Sequence, residues 1–317
     1  MAMIFGPYHL LWAASWVPGR RNKVQGAQAN LLSDGQRLHL HHGPIDLIVE
    51  AFGSSRDAAY RGAAKRFSVV LEELVSELPA LRARGRQDRE FVGPVAQRMQ
   101  SAIAPFCDQF VTPMAAVAGA VADDILQHVA DVDGIRKAYV NNGGDIAFHL
   151  KPGSSMTVAL ASAPGGRATL SASDPYRGMA TSGWRGRSLS LGIADAVTVV
   201  ARDAASADVA ATLIANAVDL PDCPTITRAP ANEIAPDSDL GALLVTTSVG
   251  ELTERQAEHA LQLGRPFAEE LLRRQLIGAA SIQLCNRIEV VGPLPMDHDR
   301  LKQPAVRQKE ALADARV

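Results

Sequence analysis

Asp208, Thr212 and Asn216 fall at i, i+4 and i+8 in the Ala-rich run ADVAATLIANAV, which places them on one face of a helix. The remaining positions of that run are almost all Ala, Val, Ile or Leu, so the helix is expected to be buried, and its polar stripe must then meet partners. A carboxylate and a hydroxyl one turn apart suit a hard cation such as Mg2+, which takes oxygen ligands. The competing reading has Asp208 capping the helix and Thr212 bonding back to a carbonyl. Upstream, the loop Trp184 to Ala194 reads WRGRSLSLGIA. Arg185 and Arg187, beside Gly183, Gly186 and Gly192, form a candidate clamp for a carboxylate or phosphate, with Ser188 and Ser190 as hydroxyl donors and Trp184 able to stack on a ring. Asp195, the carboxylate before Asp203 on this stretch, is the candidate acid/base. A second glycine-rich point, Asn141-Asn142-Gly143-Gly144-Asp145, permits positive φ and close backbone approach to a ligand. His39 and His41 share one strand face; no third metal ligand accompanies them in sequence, and a hydrogen-bonding face is the simpler role.

These residues need elements to hold them. Leu38/Leu40 and Ile45/Leu47/Val49 alternate and predict two strands joined at His42-Gly43-Pro44. Residues 54–78 predict a helix whose apolar stripe is Phe67, Val70, Leu71, Leu74 and Val75, ended by Pro79. The charged run 82–90 reads as an exposed loop. Thr112-Pro113 reads as a helix start, followed by Met114 and the small residues Ala115, Ala116, Ala118, Gly119, Ala120 and Ala122. Such a helix suits either tight packing against another helix or a flat wall beside a planar ligand. Strands are expected at 138–140, 146–150, 156–162, 168–172, 195–200 and 243–249, with a turn at 164–166. Asp237 and Asp239 read as a helix cap, 254–274 as an amphipathic helix, and 278–291 as one closing strand.

The composition narrows the class. The chain has 317 residues, a formal net charge of −2 and enough apolar residues for a large core. That charge gives no reason to expect nucleic acid or an anionic membrane as partner. Three separated cysteines, Cys107, Cys223 and Cys285, form no CxxC pair and read as free buried thiols in a reducing, cytoplasmic setting. No run reaches the roughly 18 apolar residues of a membrane span. The apolar N-terminus lacks a basic residue before it and is interrupted by Pro7 and His9, so it reads as an extension rather than a signal peptide. The domain expectation is an extension and linker over 1–36, one domain over 37–291 and a polar tail over 292–317.

In order, the pieces AVAGAVAD, VNNGGDI, ATSG, DAVTVV and ADVAAT resemble the ApbE superfamily of flavin transferases, over roughly residues 37–290, in a branch similar to the C-terminal part of 6-hydroxynicotinate reductases. The resemblance implies an α+β fold of antiparallel sheets with packed helices in two interleaved lobes, a T-fold-related architecture. It implies FAD or FMN beside Thr112, Met114, Gly119, Asn141, Asn142, Gly143, Gly144, Asp145, Thr181, Ser182 and Gly183, and Mg2+ on Asp208 and Thr212. The chain departs from that pattern in two places, the first being the family helix, whose Lys-Gly-Tyr is Ala118-Gly119-Ala120 here. The family's H-x-x-D-P segment is absent between the T-S-G loop and the next strand, where the Arg185/Arg187 loop stands instead. The expectation is therefore an ApbE-like enzyme acting on a small anionic metabolite such as a heteroaromatic ring carboxylate. Alternatives are an Mg2+-dependent flavin transferase or FAD-processing enzyme, or a binding module without chemistry. A redox partner protein and a homodimer are expected alongside the small-molecule substrate.

Overall fold

A computed structural model describes residues 26–160 and 166–293. The expectations for the N-terminal extension before residue 26, for most of the turn at 164–166 and for the tail beyond 293 lie outside the described residues. The first half runs β1 (Gln28–Leu31), β2 (Leu38–His42), β3 (Ile45–Gly53), α1 (Arg56–Ser76), α2 (Leu78–Leu81), α3 (Pro94–Ile103), α4 (Val117–Ala130), β4 (Ile135–Asn142) and β5 (Asp145–Leu150). A ribbon, β6 (Ser155–Ala159) and β7 (Arg167–Ser171), follows. The second half runs β8 (Gly178–Ser182), β9 (Ala196–Ala201), α5 (Ala204–Ala217), β10 (Ile226–Pro230), α6 (Ala231–Ile234), β11 (Leu244–Val249), α7 (Glu254–Arg273), β12 (Ala279–Leu284) and β13 (Arg287–Val291).

The fold is α+β. Nine strands form one antiparallel sheet in the order β1-β2-β3-β4-β5-β8-β9-β12-β13. Its two halves share a plan: a strand pair (β2-β3 or β8-β9), helices, then a second strand pair (β4-β5 or β12-β13). The halves follow one another in sequence and join through a short β5–β8 seam, where Ile146 pairs with Met179 and Ala147 with Gly178.

The strand alternation explains which side is covered. Leu47, Val49 and Ala51 of β3, Val140 of β4 and Val197 and Val199 of β9 are buried in the main core with helices α1, α4 and α5. The intervening residues Ile146, Phe148, Met179 and Val200 point to the other face and pack under the β6–β7 ribbon with Leu170.

Helices α4 and α5 cross closely because both are made of small residues. A Cβ on Gly119 would overlap the Ala204 carbonyl of α5, and one on Gly178 would overlap the Asp203 backbone. Helix α1 is drawn onto α4 by Arg66, whose Nε lies 2.6 Å from Asp124 Oδ2 while its other nitrogens reach Glu73 at 2.7 and 2.6 Å.

Several expectations change. The linker before residue 37 contains β1, and α3, β8 and β10 are elements that periodicity did not reveal. Each of the three strands is only four or five residues long, too short for a repeating pattern. Val75 leaves the apolar stripe of α1 and is 56% exposed. The closing strand is a hairpin, bent at Cys285, which has φ 54°. Thr112 begins a 3-10 turn, Pro113–Ala116, and α4 follows it. Its hydroxyl makes no cap but donates to the Asp239 carboxylate; Asp237 and Asp239 lie in the turn between α6 and β11 and cap no helix. The cysteines are free, but Cys285 is exposed and the other two are only partly buried. Among the described residues no helix is long and apolar enough to cross a membrane.

Candidate functional site

The polar stripe of α5 meets partners along its whole length. Asp208 Oδ2 accepts the Gly119 amide at 3.0 Å. Thr212 Oγ1 lies 3.5 Å from Ser182 Oγ, and Asn216 Oδ1 accepts the Leu191 amide at 2.9 Å. Ser182 faces α5 because strand residues alternate, and for the same reason Thr181 turns its hydroxyl away, to Thr198 at 2.8 Å. Thr181 contributes its backbone instead: its amide donates to Asp145 Oδ1 at 3.2 Å. Asp145 opens β5 opposite Asn142, and the Asn142 side chain donates to the Ala118 carbonyl at 3.0 Å, tying the β4–β5 turn to the start of α4. Asn141 accepts the Gly144 amide at 2.9 Å and closes the turn.

Two carboxylates thus come together, Asp145 from the sheet and Asp208 from α5. Burial raises the pKa of Asp208 well above the carboxylate range, and the Asp145 charge raises it further, against the Gly119 and Ala118 amides that favour the anion. Burial also raises Asp145, opposed by the Thr181 amide and by Arg187. By surface area both side chains stay partly exposed, so the pair lies at the edge of the core, within reach of a ligand. Like charges held this way titrate as one unit and favour a proton or a cation between them.

The arginine loop separates into two roles. Asp195 Oδ1 accepts the Trp184 indole at 3.0 Å and Arg185 Nε at 2.5 Å, while Oδ2 accepts the Cys285 amide at 2.6 Å. The Arg185 guanidinium also lies 4.6 Å from the Trp184 ring centroid. Asp195 is therefore a tether for the loop, with both oxygens engaged: it holds the Trp184 indole and the Arg185 Nε, while the rest of the Arg185 side chain stays exposed. The far end of the loop is fixed by Asn216 and by the Thr246 amide, which donates to the Ser190 carbonyl at 2.8 Å. Between these anchors Arg187 and Ser188 are exposed. Arg187 lies over Gly143, at φ 67°, so closely that a Cβ there would overlap its Nη2. Of the two arginines expected to form a clamp, Arg185 is bonded to Asp195 through its Nε and Arg187 lies over Gly143.

Gly119 belongs to helix packing, since α5 backbone fills the space of the ligand wall the sequence suggested. Met114 is partly buried and packs on the core. Gly183, at φ 149°, lies against the Ala194 and Asp195 carbonyls and sets the loop's exit from β8. His39 Nε2 lies 3.0 Å from Asp46 Oδ1, with the His41 ring 6.2 Å away. Among the described residues no three His, Cys, Asp or Glu are placed to hold a metal.

One residue had no clear sequence signal. Asp123 on α4 accepts the Ala204 and Ala205 amides at 3.0 and 2.9 Å, next to Asp203, which accepts the Ser206 amide at 2.7 Å. Burial raises Asp123 to about 7. The hint was a pair of adjacent acids, Asp123 and Asp124, following the small-residue run of α4. Two adjoining clefts, of about 300 and 310 Å³, open over Asp123, Asp203 and Arg98, and no sequence-predicted site residue lines them.

The donor set fits Mg2+. It offers two carboxylates and the Thr212 and Ser182 hydroxyls, all oxygen, and Mg2+ is commonly bound by one or two carboxylates completed by water and phosphate. Fold and site together define an ApbE-like α+β protein. The chain belongs to the family described as AbpE bacteria, whose model matches residues 29–290. It is also similar to UPF0280 proteins. That of Methanothermobacter thermautotrophicus is 39% identical over 142 residues, 41% of this chain and 51% of the relative. That of Archaeoglobus fulgidus is 40% identical over 109 residues, covering 34% and 45%. That of Methanothrix thermoacetophila is 38% identical over 129 residues, covering 39% and 52%. The chain spans about half the length of these relatives.

Proposed function

We propose that this chain is an enzyme that binds a small anionic metabolite, phosphate- or carboxylate-bearing, in an ApbE-like flavin-type pocket with Mg2+ as cofactor. The observation that carries this reading is the gathering of oxygen donors from β5, β8 and α5: Asp145 is held by the Thr181 amide and Asp208 by the Gly119 amide, and Thr212 Oγ1 lies 3.5 Å from Ser182 Oγ. Asp208 and Asp145 would hold the cation, with Thr212 and Ser182 beside them, and Arg187 would meet the anion. A bound Mg2+ supplies Lewis-acid polarisation of a phosphoryl or carboxyl oxygen. A heteroaromatic ring carboxylate suits the guanidinium, and the adenine dinucleotide FAD suits the cation.

The test is incubation of the purified protein with FAD or a hydroxynicotinate, with and without Mg2+. Flavin fluorescence, nucleotide products and ring absorbance are followed. Mg2+-dependent binding or turnover that disappears in Asp208→Ala supports the reading. Release of AMP and FMN from FAD would assign flavin-nucleotide processing despite the missing histidine segment. If neither ligand class binds with Mg2+ present, the proposal fails.

A further inference from the structure

We propose that Arg187 is the site's own countercharge: without a divalent cation it serves Asp145, one of the two carboxylates, and when the cation binds it turns to the anionic ligand. This rests on the cation-dependent reading above and adds an order of events to it. Cation and guanidinium compete for the same negative field, so the cation binds first and the anion then recruits the freed guanidinium.

Four observations carry the inference. Arg187 lies on Gly143, two residues before Asp145, so closely that a Cβ there would have to displace its Nη2. Its charge acts on Asp145 without touching it: among the described residues the guanidinium makes no hydrogen bond and no direct ion pair. A guanidinium near a carboxylate but not bonded to it can be redirected at little cost. The neighbouring Arg185 is placed differently, with its Nε on Asp195 and its guanidinium over the Trp184 ring. Finally, the loop is anchored at Asp195 and at Asn216, and Arg187 with Ser188 is exposed between the anchors. The arginine's own side-chain torsions are enough for the change, and the loop backbone can stay in place.

The arrangement makes predictions of opposite sign for the two ligands. Taking the charge from Arg187 removes a competitor of the cation and, at the same time, a ligand of the anion. The experiment uses the full chain, Mn2+ as the cation probe read by electron paramagnetic resonance, and inorganic phosphate as the anion probe read by calorimetry in saturating Mg2+. Arg187→Gln is expected to bind Mn2+ roughly tenfold tighter at low salt, the size of removing one nearby positive charge, and to bind phosphate more weakly. Raising the salt should shrink the Mn2+ gain. Arg187→Lys keeps the charge and should leave Mn2+ affinity near that of the parent, which separates charge from any disturbance of the loop. Arg86→Gln, an equal change of net charge on an exposed loop, should change neither affinity.

Mn2+ affinity in Arg187→Gln that is unchanged, weaker, or matched by Arg86→Gln overturns the inference. If the parent protein binds no Mn2+, or binds it equally well as Asp208→Asn, the cation site itself falls and the inference with it. Parent binding that depends on Asp208 but ignores Arg187 removes only the inference.

Discussion

Asp208→Asn removes one of the two facing carboxylates while leaving an oxygen to accept the Gly119 amide. Without a cation at pH 8, this variant should be more stable than the parent. Burial carries Asp145 from its ordinary 3.8 up to about 7, and Asp208 rises as well, through burial and the Asp145 charge. At about 1.4 kcal/mol per pH unit, keeping such a carboxylate ionised above pH 7 costs at most about 4 kcal/mol. Partial exposure screens this, and about 1–3 kcal/mol is the expected gain from removing the pair. An acid whose pKa is higher folded than unfolded binds more protons when folded, between the two values. Parent stability should therefore fall as pH rises from about 5 to about 8, with the deficit complete above the folded pKa. Asp123 titrates in the same window and the same direction. The assay is thermal unfolding in chelator from pH 5.5 to 8.5, repeated with millimolar Mg2+. The variant should melt about 2–6 °C above the parent at pH 8 in chelator, show a flatter pH profile and lose the Mg2+ response. A variant that melts lower at pH 8, beside a parent indifferent to both pH and Mg2+, would show that Asp208 only anchors α4 and would refute the reasoning.

Three further outcomes test the frame around the site. Gly119→Ala places a methyl group in the α5 backbone and should cost about 3 kcal/mol or more by denaturant titration, since neither helix can yield without moving its strands. Asp195→Asn weakens a carboxylate that holds three donors. It should lose about 1–3 kcal/mol and speed proteolytic cleavage within the loop between Trp184 and Leu191; an unchanged cleavage rate would deny the tether. Arg66→Ala leaves Asp124, only 2% exposed, with no hydrogen-bonded guanidinium and only the more distant Arg98 at 3.9 Å. Equilibrium unfolding should record a loss of about 3–5 kcal/mol.

The stripe Asp208, Thr212 and Asn216 could be read from spacing alone, because helix periodicity fixes which residues share a face. The ordered motifs around Gly119, Asn141 to Asp145 and Thr181 to Gly183 carried the family. The short strands β1, β8 and β10 could not be read, since they exist through pairing with distant strands rather than through a local pattern. The approach of Asp145 to Asp208 was hidden in the same way: they lie 63 positions apart in the chain, and only the closure of β5 beside β8 and α5 brings them together.

The arginine loop shows the same division. Residue types announced two guanidiniums and an acid as one clamp and its catalyst. The fold gave Asp195 and Arg185 to each other and to Trp184, and left Arg187 over Gly143. Gly119, readable as a ligand wall or a packing contact, became a packing contact once α5 lay against it. Periodicity and side-chain chemistry are local and are written in the sequence. Which carboxylate meets which donor depends on chain closure across the sheet, and that is decided only when the elements pack.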